Sequence, residues 1–404
     1  MSSIAAGNAV ESPVESPVVP EIATTSTTAS IIYLGLDVHK ESVMIAVLPE
    51  DAAAPTRVER LPNDFVKLRR FMDRIAREGN IQHEIRACYE ASGAGYVLQR
   101  AMCEWGHKCE VIAPSLIPVK PGVKRKHDKH DAVQLARLYR AGELTVVHIP
   151  SEAEERVRDL VRCRETFQRE IMKSRHYILK FLARRSFIYR EGTHWKRAHM
   201  NWLKQLASNA SPLAKEDLIV YQEYLALLEY ELQRREELDR KIEELALTPS
   251  LAPVVQRLQC FRGISVHAAM VLATELVDWR RFGNPGQLAA YLGLVPTEHS
   301  SGDRERRGSI TKAGNSHCRH VLVQAAWSYR HAPSVGAQLK ARQQGQPVSV
   351  IAHSWKAQHR LHKRFMHLSY RKQSQIAVVA VARELVGFLW SVMQDMNQDM
   401  NKAA

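Results

Sequence analysis

The sequence predicts an α/β domain, then a long helical region, then a second, mainly helical domain. Three observations carry this. Short apolar runs alternate with helical spacing over residues 31–145. From 151 to 247, apolar residues recur in steps of three and four. Beyond 251, a helix–turn–helix pattern leads into a polar stretch rich in glycine and arginine. A length of 404 residues suits two or three domains with sizeable cores.

The elements follow in order. Residues 1–30 are rich in Ser, Thr, Pro and Ala, with acids where a signal peptide carries bases. A disordered tail is expected there. IIYLGLDV is an apolar run that closes on Asp37, and SVMIAVLPE follows after a short polar turn, the pattern of a hairpin. DFVKLRRFMDRIARE has helical spacing. EIRACYEAS is a strand-like stretch that reaches Glu90, GYVLQRAMCEWG is helical, and KCEVIAPSLIP is a further strand. KRKHDKHDAVQLARL then begins a helix, which closes a mixed-sheet domain over 31–150.

The region 151–250 is helical. Leu218, Tyr221, Leu225, Leu228 and Leu232, then Leu238, Ile242 and Leu245, form a stripe with charges between them. Such a stripe serves either a coiled coil between subunits or a core within one. Between the helices, residues 184–206 mix bases with aromatics, which can stack on RNA or form a buried cluster. Residues 251–345 form another unit. Within it, LQCFRGISVHAAMVLATEL reads as a helical hairpin whose turn amides can bind phosphate. Residues 346–404 form a basic helical extension with the apolar segment IAVVAVARELVGFLWSVM.

Fifty-seven Lys and Arg against 43 Asp and Glu give a net charge of +14 and a basic pI. The excess is not held in one tail, which favours nucleic acid over a membrane surface as partner. No apolar run is expected to span a bilayer. The six cysteines form no CxxC pair, so a reduced cytoplasmic protein without structural zinc is expected.

Asp128 and Asp131 stand out inside that basic surround. They read as the N-cap and third position of a helix, where acids are favoured. They also share one helix face, where two carboxylates can reach a divalent cation. Both readings can hold together. Asp37 and Glu90 fall at strand ends, and in α/β sheets such ends gather around one crevice. Four clustered acids repel unless cations neutralise them, and a pair of divalent ions clamps the oxygens of phosphoryl transfer. Strand-Asp, strand-Glu, then Asp-x-x-Asp on a helix is the plan of a ribonuclease-H-like nuclease.

GLDVHK, YEASG and DKHDA resemble the DEDD motifs of IS110-type insertion-sequence transposases, whose amino-terminal domain is similar to the Holliday-junction resolvase RuvC. AAYLGLVP, the SSG stretch and RRGSITKAGN resemble that family's carboxy-terminal transposase domain. The resemblance spans residues 31–345. It implies that Asp37, Glu90, Asp128 and Asp131 hold Mg2+ or Mn2+, two ions in all. It implies a nucleophilic serine at Ser301, with Ser300 as the neighbouring alternative. Arg304, Arg306, Arg307 and Lys312 are suited to hold a phosphate, and Lys124, Arg125 and Lys126 are further nucleic-acid candidates. His130 is expected on the exposed helix face.

The resemblance further implies a recombinase that exchanges strands between donor and target DNA through a serine–DNA link. It implies guidance by a structured non-coding bridge RNA, a dimer or tetramer, and a nucleoid-associated place in a bacterial cytoplasm. Two rivals remain: a metal-dependent, structure-selective DNA nuclease, and an inactive nucleic-acid-binding descendant.

Overall fold

A computed structural model describes residues 30–118, 128–298 and 307–403. The chain divides into two compact units, one closing at Ile149 and the other beginning at Pro150.

The first unit runs β1 (Ile31–Val38), β2 (Ser42–Pro49), β3 (Arg57–Pro62), α1 (Phe65–Ala76), β4 (Glu84–Glu90), α2 (Val97–Glu104), β5 (Lys108–Ile112) and α3 (Asp128–Arg140). Its five-stranded sheet has the order β3-β2-β1-β4-β5. β1, β2 and β3 pair antiparallel, so the hairpin read from IIYLGLDV and SVMIAVLPE is present. β4 and β5 continue the sheet in parallel with β1.

Alternation along the strands builds two faces. Leu34, Leu36 and Ile45 pack with Leu68 and Met72 of α1 and Met102 of α2. Tyr33, Met44, Ala46 and Leu48 pack with Ala132 and Ala136 of α3. The α3 face is therefore set by the odd residues of β1. β3 was not anticipated. Its Arg57, Glu59 and Arg60 mask the strand pattern, and Arg57 pairs with Glu78 while Glu59 lies 3.5 Å from Arg74. Charges of this kind belong on a sheet edge, where they discourage further strand pairing.

The second unit runs α4 (Glu152–Ala183), α5 (Arg197–Leu206), α6 (Lys215–Ala246), α7 (Ala252–Gln259), α8 (Val266–Leu276), α9 (Pro285–Tyr291), β6 (Pro296–Glu298), β7 (Arg307–Ile310), α10 (Ser316–Ala326), α11 (Ala337–Gln343), α12 (Val348–Ser369) and α13 (Ser374–Ala403). α4 opens on a capping box: Ser151 Oγ accepts from the Glu154 amide, and Glu154 accepts from the Ser151 amide.

α4 and α6 pack against each other. Leu225 and Leu228 of α6 are buried with Ile171, Ile178 and Phe181 of α4, and Leu232 packs against the same cluster. The stripe read as a possible coiled-coil seam is therefore covered within the chain. The aromatic residues of 184–206 follow the same course. Tyr189 and His199 are buried, and the His199 ring lies 4.7 Å from Tyr189 and 5.7 Å from Trp202. They form a core cluster.

The principal core of this unit draws on 151–250 through Val161 and Ile242, on 251–345 through Phe261 and Leu322, and on the extension through Leu361 and Leu385. One part of α13, Ser374–Met396, is long and apolar enough to cross a membrane by length and composition, contrary to the expectation from sequence. Its Ala377, Val381, Leu385, Leu389 and Val392 lie in the core, which accounts for the composition.

Candidate metal centre and nucleic-acid interface

β1 delivers Asp37 to the sheet's carboxyl edge. Leu36 pairs with Tyr89 across the parallel β1–β4 ladder, so Asp37 and Glu90 each follow one residue later. Asp37 continues the Tyr33, Gly35 row of β1, and Glu90 the Arg86, Cys88 row of β4. That is the face covered by α3.

α3 buries Ala132, Leu135 and Ala136 against the sheet. Asp128 stands one turn before Ala132, and Asp131 one turn before Leu135, so both acids begin the stripe that meets the sheet. The helix N-terminus also favours their charge. Gly35 lets α3 lie directly on the β1 backbone, where any side chain would stand in the way. His130 is exposed, as expected of its helix position.

Asp37, His39 and Asp128 each offer a ligand atom, and these atoms all lie within 4.8 Å of one another. His39 Nε2 is 3.1 Å from Asp37 Oδ2 and 3.7 Å from Asp128 Oδ2. Of the four acids singled out in the sequence, Asp37 and Asp128 enter this cluster. Glu90 and Asp131 share its face and its edge without being part of it. His39 was missed as a site residue, although it stands two residues after Asp37 and so on the same side of an extended chain. The three differ in exposure: the side chain of Asp37 is 22% accessible and those of His39 and Asp128 each 53%. A cleft of about 540 Å³ opens beside His39, lined by Lys40, Asn63, Ser92 and Gly93 among others.

In the second unit, the motifs around AAYLGLVP and RRGSITKAGN meet through glycine. Gly293 has φ +63° and packs on the Ala313 backbone; Gly314 has φ +72° and packs on the Tyr291 carbonyl. β6 and β7 pair antiparallel, with Pro296 opposite Ile310 and Glu298 opposite Arg307. Neither short strand was expected, because three or four residues are too few to carry an alternation signal. Ser300, Ser301, Arg304 and Arg306 fall outside the described residues, as do Lys124, Arg125 and Lys126. Arg307 begins β7, and Lys312 is exposed at φ +56°.

A charge network around the buried Glu275 carboxylate ties this region to the helices. Arg162 of α4 donates two hydrogen bonds to Glu275 of α8, at 2.6 and 2.8 Å. Asn315, which caps α10, donates to the same carboxylate at 2.7 Å. Burial pushes the Glu275 carboxyl up, but Arg162 and Asn315 together outweigh it and hold the group below its ordinary range. Nearby is a second cleft of about 430 Å³, where Gly263 and Ser265 meet Arg164, Arg169, His267 and His320. Gly263 has φ +85° and packs on the α10 backbone at Ala325, so close packing already explains the glycine of the helical hairpin.

A mixed sheet with candidate metal ligands at its carboxyl edge, followed by a basic helical unit, suits an enzyme that acts on nucleic acid. Comparison with known proteins makes this specific. Residues 34–186 match the DEDD-type IS110 transposase family, and residues 255–340 match the family described as Transposase IS116/IS110/IS902. The putative transposase y4qE of Sinorhizobium fredii is 37% identical over 368 residues, 91% of this chain and 89% of the relative. The transposase for insertion sequence element IS1533 of Leptospira borgpetersenii is 30% identical over 346 residues, 85% of this chain and 98% of the relative. The chain belongs to the IS110/IS116/IS902 family of insertion-sequence transposases, enzymes that cut and rejoin DNA. Membership of the DEDD family implies use of a divalent metal.

Proposed function

We propose that the chain is a serine-using strand-exchange transposase whose first unit is a ribonuclease-H-like metal domain. The observation that carries the metal half is the convergence of Asp37 from a strand end and Asp128 from a helix start on one small volume. The sheet order, with an antiparallel hairpin extended by parallel strands, supports the fold assignment. Carboxylate oxygens are the donors that Mg2+ and Mn2+ take, so the residue types fit the ions.

Asp37, Glu90, Asp128 and Asp131 would hold the divalent ions. When bound, these ions would supply charge stabilisation to a transferring phosphate. The other steps fall to the chain's own groups. Ser301 Oγ gives up its proton and attacks a DNA phosphorus, the P–O3′ bond breaks, the leaving 3′ oxygen takes up a proton as a free hydroxyl, and a serine–DNA phosphodiester replaces the broken bond. A 3′ hydroxyl from the exchanging strand later attacks the same phosphorus and releases the serine. The bond energy stays in the link, so rejoining needs no nucleotide cofactor. Arg304, Arg306, Arg307 and Lys312 hold the phosphate, Arg through paired donors. Lys124, Arg125 and Lys126 add to the basic surface that binds donor DNA, target DNA and a structured guide RNA. The net charge of +14 supports polyanion binding of this extent. Two or four chains would bring two duplexes together.

Two measurements test the proposal. RNA that co-purifies with the protein should be one structured species whose loops pair with donor and target DNA; random cellular RNA would remove the guide. A denaturant-resistant protein–DNA adduct should form during cleavage. Hydrolysed ends without an adduct would leave a metal-and-water nuclease in its place.

A further inference from the structure

The residue least explained by the acid motifs is His39. Its place is fixed by more than its own side chain. The His39 amide donates to the Ser42 carbonyl at 2.9 Å, and its carbonyl accepts from Asn63 Nδ2 at 2.9 Å. The backbone is thus held on both sides at the end of β1. Its imidazole nitrogen approaches two carboxylates that come from different elements, Asp37 on β1 and Asp128 on α3. An exposed ion pair is worth little and accounts for contact with a single acid. Contact with two, at 3.1 and 3.7 Å, has the spacing of a ligand set. Around an octahedral ion with bonds of about 2.1 Å, neighbouring ligand atoms lie roughly 3 Å apart and opposite ones roughly 4.2 Å apart.

We infer that His39 Nε2 is a protein ligand of the divalent ion held by Asp37 and Asp128, and that this nitrogen tilts the site from Mg2+ toward Mn2+. The inference rests on the metal reading of the acids given above and adds the donor that distinguishes this centre from an all-oxygen one. Mg2+ takes oxygen ligands and keeps its waters reluctantly exchanged. Imidazole suits first-row transition ions, so one nitrogen among carboxylates weakens the claim of Mg2+ relative to theirs. The half-exposed imidazole leaves a path for an ion to enter from solvent.

The test uses the full chain loaded with Mn2+ alone and read by pulsed electron paramagnetic resonance, which detects nitrogen bonded to the ion. The wild-type protein should show imidazole nitrogen coupling. His39→Gln should bind Mn2+ without that coupling. Its Mn2+ affinity should fall by no less than the ~10–100-fold that loss of an outer-shell partner costs, with Mg2+ affinity changed less. Asp37→Asn with Asp128→Asn should abolish Mn2+ binding, which places the signal at this centre. Bound Mn2+ with no nitrogen coupling in the wild type would overturn the His39 assignment and leave the acids' site standing. Coupling that persists in His39→Gln would also overturn it, in favour of another histidine. Failure of the wild type to bind Mn2+ at all would overturn the metal reading itself.

Discussion

A Cβ atom placed on Gly35 would lie 2.1 Å from the Ala132 carbonyl oxygen and 2.5 Å from the Ala136 amide nitrogen. Strand β1 and helix α3 therefore touch backbone to backbone, and the helix that carries Asp128 and Asp131 is positioned by the absence of a side chain. Gly35→Ala should push α3 off the sheet at a cost of about 1–3 kcal/mol. Asp128 should move away from Asp37 with it. The expected outcome is a folded first unit with lowered denaturant midpoint and lost Mn2+ binding in calorimetry. Wild-type metal affinity in Gly35→Ala would mean that the acids do not depend on this contact.

Asp128→Asn and Asp131→Asn each remove one carboxylate and leave the basic surface intact. Strand cleavage should fall by at least about 100-fold, the scale on which electrostatic stabilisation of a transition state acts. DNA binding, followed by mobility shift, should stay within about twofold, since phosphate contacts with Lys and Arg dominate it. Full cleavage by Asp131→Asn would leave that residue as a helix-start acid and nothing more.

Ser301→Ala deletes one hydroxyl from a stretch of polar sequence and should leave stability within about 0.5 kcal/mol. Adduct formation and strand exchange should both vanish. An adduct that survives Ser301→Ala and disappears in Ser300→Ala moves the nucleophile by one residue.

Leu228 is fully buried against α4. Leu228→Ala should cost roughly 2–5 kcal/mol and lower the unfolding midpoint of the second unit. A variant that keeps the wild-type midpoint but sediments at lower mass would place the stripe at a subunit interface after all.

Acid should weaken the second unit by a defined route. Burial first, then the charge of Arg164, pushes His267 down to about 4. An unfolded histidine titrates near 6.5. Between those values the unfolded chain binds the proton and the folded chain does not, so stability is complete above about pH 6.5 and falls as the pH drops toward 4. Glu275, held low by Arg162 and Asn315, acts in the same direction at still lower pH. The loss from His267 should approach roughly 2–3 kcal/mol near pH 4.5. Six of the seven tryptophans lie after Pro150, so fluorescence-detected urea unfolding reads this unit. In His267→Gln the midpoint should be flatter across that range. An equally steep fall in the variant would assign the acid sensitivity elsewhere.

Particular residues show how far the sequence alone could be read. The strand-end places of Asp37 and Glu90 were legible because apolar runs closed on them, and the helix-start places of Asp128 and Asp131 because helical spacing began there. β3 was not, since Arg57, Glu59 and Arg60 hide its alternation on the sheet edge. His39 escaped notice because its two-residue spacing from Asp37 gains meaning only when the packing of α3 brings Asp128 to its other side. The leucine stripe on α6 had the right period for two different partners, and the fold supplies α4 from the same chain. Periodicity reveals which face is apolar but not whose surface covers it.

The docking of α3 on Gly35 has a consequence for the order of synthesis. Asp128 leaves the ribosome 91 residues after Asp37. At about 5–20 residues per second, that is a delay of roughly 5–20 s. During this interval β1 and β2 are already made, but the cluster of Asp37, His39 and Asp128 has only two of its members. A chain interrupted just before residue 128 therefore carries all five strands of the sheet but lacks the third member of the cluster. The cluster of Asp37, His39 and Asp128 can assemble only once translation has passed the start of the helix that closes the first unit.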